Sequence, residues 1–248
     1  MASSADKILL GKVALITGGS RGIGRAIAAA YAMAGARVFI CGRNSADVDD
    51  ALGEIRAQGG SIDGVAGDIS RARDAQRIVR AALERFGVID VLVNNASILG
   101  PREAIAEYPL EAWEEVIRIN LTGLFLMTHE VLPAMLARRA GSIINLTSGV
   151  GRAGKAKWGA YAVSKAGLEG FTQVLAEEVK SAGIRVNAVN PAATRTQMRA
   201  QAYPAEDPTT LPAPDKIVPI FVHLAADASK EITGQSLNAR DWLAKSFD

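Results

Sequence analysis

Thr17-Gly18-Gly19-Ser20-Arg21-Gly22-Ile23-Gly24 follows a short apolar run at 13–16 and opens a stretch of helical periodicity near 23–34. Glycines spaced Gly-x3-Gly-x-Gly between a strand and a helix have a definite physical use. Gly18 lets the chain turn tightly off the strand, and Gly22 or Gly24 lets backbone N–H groups, or the helix itself, approach closely. The helix N-terminus then meets an anion with its free N–H groups and its positive dipole end, as strand–turn–helix units do with a dinucleotide pyrophosphate. The spacing is not the Gly-x-Gly-x-x-Gly fingerprint, so the reading depends on what surrounds the turn.

Outward from it, brief β-branched runs recur at 37–41, 89–93, 142–146 and 184–189, with a weaker one at 61–66. They are brief and bounded by Gly, Asn or Asp, as suits strands covered on both faces. Helical patterns lie near 46–58, 71–86, 110–138 and 158–182. This alternation predicts an α/β fold, a parallel sheet with helices on both faces joined by right-handed crossovers. An eight-stranded α/β barrel fits the length. Six or seven strands and the glycine turn favour instead a Rossmann-like, doubly wound parallel sheet, a single domain over 1–248 with no linker or repeat.

Composition narrows the function. Of 248 residues, 49% are hydrophobic and the net charge is +2, which excludes a disordered chain. Lys and Arg, 28 together, nearly cancel 26 Asp and Glu, and no basic run is interleaved with aromatics, so a nucleic-acid partner is not expected. One cysteine, Cys41, and two histidines give neither a disulfide framework nor a His/Cys metal site. Residues 1–6 carry no apolar signal core, and no run reaches about 18 uninterrupted apolar residues. The expectation is a soluble, cytoplasmic protein that binds no membrane.

Two segments stand out. Residues 116–127 are apolar nearly all round, which suits burial deep in the subunit or against a second subunit. Residues 195–215 have no apolar period and contain Pro204, Pro208, Pro212 and Pro214; a lid over the site is favoured over a disordered loop.

The end of the second strand indicates which dinucleotide. An NAD-binding unit places an acid about 20 positions after the glycines, for the ribose 2′-OH. Here the chain reads Phe39-Ile40-Cys41-Gly42-Arg43-Asn44, with no acid. Gly42 leaves room, Arg43 offers a bidentate guanidinium, Arg21 is a second cation, and Ser45 is placed to cap the next helix. NADP(H) is the expected cofactor, and Gly42→Asp with Arg43→Ile is expected to reverse that choice.

Tyr161-Ala-Val-Ser-Lys165 puts a phenol and an ammonium on one helix face. Ser148 follows the strand at 142–146, at the carboxyl edge where open sheets bind ligands, so its hydroxyl can converge with Tyr161 over a nicotinamide.

Together with Asp68-Ile69, Asn94-Asn95-Ala96, Asn120 and 191–196, these motifs resemble the short-chain dehydrogenase/reductase family, from about Lys7 to Leu237. The resemblance implies NAD(P)-dependent hydride transfer between a carbonyl and a secondary alcohol, and usually a homotetramer. It gives Tyr161 the role of general acid/base. Lys165 would lower the phenol's pKa, helped by the oxidised nicotinamide, and hold the ribose. Ser148 would bind the substrate oxygen, and Asn120 would hold a water linking Lys165 to solvent. It assigns to the cofactor Gly18, Ser20, Arg21, Gly22, Ile23, Gly24, Arg43, Asn44, Asp68, Ile69, Asn94, Ala96, Pro191, Thr194 and Thr196, with Tyr161 and Lys165. Of these, Asp68 would contact the adenine, Asn94 would sit by the adenosine ribose and support the central strand, and Thr196 would bind the carboxamide.

Three departures are visible. Ser97 and Ala192 stand where the family has glycine, and Leu237-Asn-Ala-Arg-Asp-Trp242 replaces an acidic Gly-Gly ending. Ile98, Leu99, Val150, Trp158 and Tyr203 are candidates to line an apolar substrate pocket. Arg152, Lys155 and Lys157 either attract an anionic carrier or form a solvated basic loop, so a 3-oxoacyl thioester reductase is one alternative. A non-catalytic NADP(H)-sensing regulator is another, disfavoured because Tyr161 and Lys165 are both present. A nucleotide-sugar epimerase or dehydratase would need a larger C-terminal domain.

Overall fold

The structure, a computed structural model, describes residues 7–243. Its strands are β1 (Val13–Thr17), β2 (Arg37–Gly42), β3 (Ser61–Ala66), β4 (Val91–Asn94), β5 (Gly141–Leu146), β6 (Ile184–Asn190) and β7 (Ser236–Asn238). All pair in parallel in one sheet of order β3-β2-β1-β4-β5-β6-β7. The order reverses between β1 and β4, and a doubly wound sheet opens a crevice at that point.

The helices are α1 (Gly22–Met33), α2 (Ser45–Ala57), α3 (Ala72–Phe86), α4 (Leu110–Ile117), α5 (Gly123–Arg138), α6 (Gly149–Arg152), α7 (Gly159–Val179), α8 (Gln197–Ala202) and α9 (Pro219–Ala225). Strand neighbours point to opposite faces. Ile16, Ile40, Val93 and Ile144 accordingly pack with Ile27, Tyr31 and Phe221 of α1 and α9. Leu15, Phe39, Leu92 and Ile143 pack with Ile78, Met127 and Leu175 of α3, α5 and α7. The run at 61–66 reads weakly because β3 is an edge strand holding Asp63 and Gly64, where an added Cβ would lie 2.7 Å from Ile40.

The expected helix 110–138 is broken by a π turn at Arg118–Thr122 between α4 and α5. Among the described residues, this run is long and apolar enough by composition to cross a membrane. Here it packs on α3 and α7 and leaves Leu110, Phe125 and Leu136 exposed. The segment 195–215 is not structureless. Thr196 caps α8, its hydroxyl accepting from the Arg199 N–H at 3.1 Å, and turns of 3-10 helix follow at Pro208–Thr210 and Pro214–Ile217. The Arg199 guanidinium donates twice to the Glu206 carboxylate, at 2.6 Å each. A six-residue helix is too short to print an apolar period on the sequence.

Candidate active site

A cleft of about 990 Å³ lies over the carboxyl ends of the strands. Its floor is the glycine turn. Gly18 has φ +63°, in the left-handed region, and a Cβ on Gly24 would sit 2.2 Å from the Gly18 carbonyl oxygen, so α1 can start only with glycine there. The turn is pinned to β4. Thr17 Oγ1 accepts from the N–H groups of Asn95 and Ala96, both at 3.1 Å, and Asn95 Nδ2 donates to the carbonyls of Thr17 at 2.9 Å and Gly18 at 3.0 Å. Ser20, Arg21, Gly22 and Ile23 line the cleft with Gly18, whereas Gly24 lies behind them as packing.

At the β2 end the wall contains Gly42, Arg43, Asn44, Asp68 and Ile69. Asn44, not Ser45, caps α2: its Oδ1 accepts from Ala46 N at 2.9 Å and Asp47 N at 3.4 Å. Ser45 is already the first helical residue. Burial opposes ionisation of Asp68. The Ser70 hydroxyl and amide, with Arg118 and Arg43, prevail and hold its carboxyl below the usual range. Arg21 and Arg43 are exposed and form no salt bridge among the described residues. Asn94 meets the structural half of its expectation, support of the central strand. It is buried outside the cleft wall, and its amide donates to Thr128 Oγ1 at 3.1 Å and Asn145 Oδ1 at 2.9 Å, which ties β4 to β5 and α5.

At the opposite end, Ser148 leaves β5 and α7 presents Tyr161 and Lys165, all three in the wall. Lys165 Nζ donates to the Leu146 carbonyl at 2.7 Å and lies 5.6 Å from the centre of the Tyr161 ring. The expected lowering of the phenol's pKa is not seen in the protein alone. Burial pushes Tyr161 up to about 12, against the hydrogen bond of Ser148. Burial also pushes Lys165 down to about 8, against the Glu169 carboxylate. At each side chain desolvation outweighs the opposing contact.

The Lys165 shift gives a stability signature. Between about pH 8 and 10 the unfolded chain keeps a proton that the folded Lys165 has released. This group therefore makes stability rise with pH across that window. Urea unfolding from pH 7.5 to 10 should show a less positive slope for Lys165→Met than for the unsubstituted protein.

Asn120 sits in the π turn, a distortion found at functional sites. Its Oδ1 accepts from Ile98 N at 2.8 Å, and its Nδ2 donates to the Ile98 carbonyl at 2.9 Å and Ser164 Oγ at 3.1 Å. The side chain is thus occupied in tying the loop after β4 to α7 and is not in the cleft wall.

Pro191, Ala192, Thr194 and Thr196 line the cleft after β6. Ala192 retains the left-handed conformation that suits glycine, at φ 57°, held by its N–H donating to Asn190 Oδ1 at 3.0 Å. That conformation costs a residue with a Cβ roughly 1–2 kcal/mol. Ala192→Gly should therefore gain up to about 1 kcal/mol after glycine's larger unfolded-state entropy is counted, as measured by the urea midpoint.

Of the apolar candidates, Ile98, Leu99 and Trp158 line the cleft, while Val150 and Tyr203 pack behind it. Arg152 is taken up elsewhere. It pairs with Glu169 at 3.1 Å and donates to Ser236 Oγ at 2.6 Å and Asn238 Oδ1 at 2.8 Å, fastening the unusual C-terminal stretch. Lys155 Nζ donates to the Tyr203 hydroxyl at 3.3 Å, and Lys157 is exposed. Wall residues that the sequence did not single out include Asp47, Gly67, Ile119, Thr147, Gln197, Met198, Arg199, Gln201 and Ala202. The last five come from α8, whose existence had no legible signal.

The sequence profile described as short chain dehydrogenase matches residues 12–207. The chain is 36% identical over 239 residues to an oxidoreductase of Escherichia coli K12 named YciK, covering 94% of this chain and 93% of that one. It is 38% identical over 237 residues to a 3-oxoacyl-[acyl-carrier-protein] reductase of Synechocystis, covering 93% and 96%. A crystal structure of a short chain dehydrogenase from Shigella flexneri 2a, complexed with NADP, superposes with a TM-score of 0.91 at 36% identity, covering 95% of this chain and 99% of that one.

Proposed function

The chain belongs to the short-chain dehydrogenase/reductase family, and from that premise we propose that it interconverts a carbonyl and a secondary alcohol with NADP(H). The observation that carries the reading is the convergence of Ser148, Tyr161 and Lys165 in the wall of a cleft floored by the glycine turn. The residues present fit the dinucleotide. Gly18 keeps its backbone where a Cβ would lie 2.8 Å from the Asn95 amide, and Arg21 and Arg43, without salt bridges among the described residues, stand at the end where a 2′-phosphate would lie.

The bound cofactor supplies the hydride. The rest falls to the chain. Ser148 donates a hydrogen bond to the substrate oxygen as negative charge grows there, keeping its own proton. Tyr161, held protonated near neutrality by burial, delivers the proton to that oxygen. Lys165, anchored on the Leu146 carbonyl, places positive charge beside the phenol and binds the ribose hydroxyls. Asn120 keeps Ile98 and α7 in register around them. Leu99, Trp158, Met198 and Ala202 exclude water from the reacting atoms. A panel of cyclic ketones, quinones and 3-oxoacyl thioesters, followed at the nicotinamide absorbance, tests this. Turnover of none of them would leave the NADP(H)-sensing regulator as the better reading.

We also propose a homotetramer. Phe125 and Leu136 on α5, and Val163 and Val174 on α7, are exposed large apolar side chains, and Gly170 lies between the two valines on the same helix face. Faces of this kind pair across symmetry axes. Light scattering at micromolar concentration should give four times the 26.0 kDa chain; a monodisperse monomer would refute it.

A further inference from the structure

Arg102 lies in the loop after β4, forms no salt bridge among the described residues, and has its Nε buried with no acceptor. Its guanidinium instead lies 4.6 Å from the Trp158 ring centre and 5.0 Å from that of Tyr203, two rings 6.0 Å apart. It also donates to the carbonyl of Ala202, the last residue of α8. A planar cation stacks on aromatic faces as an ammonium cannot.

What Arg102 holds is the far wall of the substrate end. Trp158 and Ala202 both line the cleft, and Trp158 packs on Tyr161 with ring centres 5.7 Å apart. The backbone around Trp158 is fixed as well: Lys157 has φ 65°, and a Cβ on Gly159 would lie 2.4 Å from the Tyr108 ring. Leu99 and Met198 pack with Trp158, Tyr161 and Ala202 in one apolar cluster. We propose that Arg102 is a specificity-determining positioning residue, joining Trp158 to the end of α8 so that the cleft accepts a carbonyl flanked by a compact apolar group and refuses a bulky one. This rests on the carbonyl chemistry proposed above.

Cyclohexanone and 2-acetylnaphthalene serve as the compact and bulky probes. The unsubstituted protein should favour cyclohexanone in kcat/KM. Arg102→Ala should narrow that preference about tenfold, mainly through a raised KM for cyclohexanone, with kcat within about threefold and NADPH affinity within about twofold. Arg102→Lys keeps the charge and a donor for Ala202 but lacks the plane. It should recover thermal stability without recovering the size preference, a split that a purely structural role would not give. Arg102→Met carries the kinetic test if the alanine variant does not fold. An unchanged preference in the folded variant overturns the proposal. If no form reduces either ketone, the carbonyl reading fails only if the full panel above is also left unreduced, and the clamp is judged by chymotryptic cleavage after Tyr203. Cleavage about fivefold faster in the variant supports it, and an unchanged rate overturns it.

Discussion

Tyr161→Phe is expected to lower kcat by about 10²–10⁴-fold on the best ketone while leaving NADPH affinity within a few-fold. The phenol lies in the cleft with only 8% of its surface exposed, so water is a poor substitute as proton donor. The hydroxyl acts on the substrate oxygen as charge develops and contributes little to ground-state binding of the cofactor, which is why the loss falls on turnover. Lys165→Ala should damage both quantities, because it removes a ribose contact and the charge beside the phenol. Burial sets a direction as well. With Tyr161 at about 12, the protein alone keeps the acid form that carbonyl reduction uses. Alcohol oxidation needs the phenolate, so its rate should climb with pH further into the alkaline range than that of reduction. Wild-type turnover in Tyr161→Phe, measured at the nicotinamide absorbance, would end this mechanism.

The second large effect concerns the coenzyme. Each hydrogen bond from Arg43 or Arg21 to a 2′-phosphate is worth roughly 1.5–3 kcal/mol, on the order of tenfold or more in kcat/KM for NADPH over NADH. The structure changes how the reversal should be built. A Cβ on Gly42 would lie 2.7 Å from Ser20 Oγ and 3.2 Å from Val48 Cγ2, so Gly42→Asp with Arg43→Ile crowds the glycine turn. Adding Ser20→Ala removes the nearest atom. The triple variant should then prefer NADH, since it removes an attraction and adds a repulsion. Arg43→Ile alone should cost NADPH about tenfold and leave NADH nearly unchanged. Steady-state kinetics with both coenzymes decide the matter, and equal kcat/KM in the unsubstituted enzyme would contradict the assignment.

The parts of the site legible in the sequence are those where backbone geometry restricts the residue type. The glycine turn reads clearly because Gly24 has the Gly18 carbonyl 2.2 Å from where a Cβ would be. Strands β1, β2, β4, β5 and β6 read clearly because burial on both faces leaves short runs in which apolar residues dominate. Tyr161 and Lys165 are legible because helical spacing carries them to one face. Asn94 reads less sharply because Asn is equally suited to a ligand and to a buried crosslink, and the Thr128 and Asn145 contacts are what show the support of the central strand. The π turn at Asn120 leaves the helical pattern intact to within one residue, so periodicity cannot register it. Arg102 and α8 meet across 100 residues of chain, and local pattern carries nothing of such a contact.

The strand order bears on how the chain comes off the ribosome. β1 ends up between β2 and β4, yet β2 and β3 are made first, and one whole edge of β1 waits until β4 has emerged. A hydrophobic strand with an open edge is a template for pairing with other chains. The wait at α1 is longer. The Tyr31 hydroxyl, fully buried, donates to the Phe221 carbonyl at 2.7 Å, an acceptor synthesised 190 residues later. The nucleotide-binding half is therefore first to be translated and among the last to be sealed. A nascent chain stalled short of α9 would hold its phosphate turn with an exposed flank, a form for chaperones to shield rather than a small working domain.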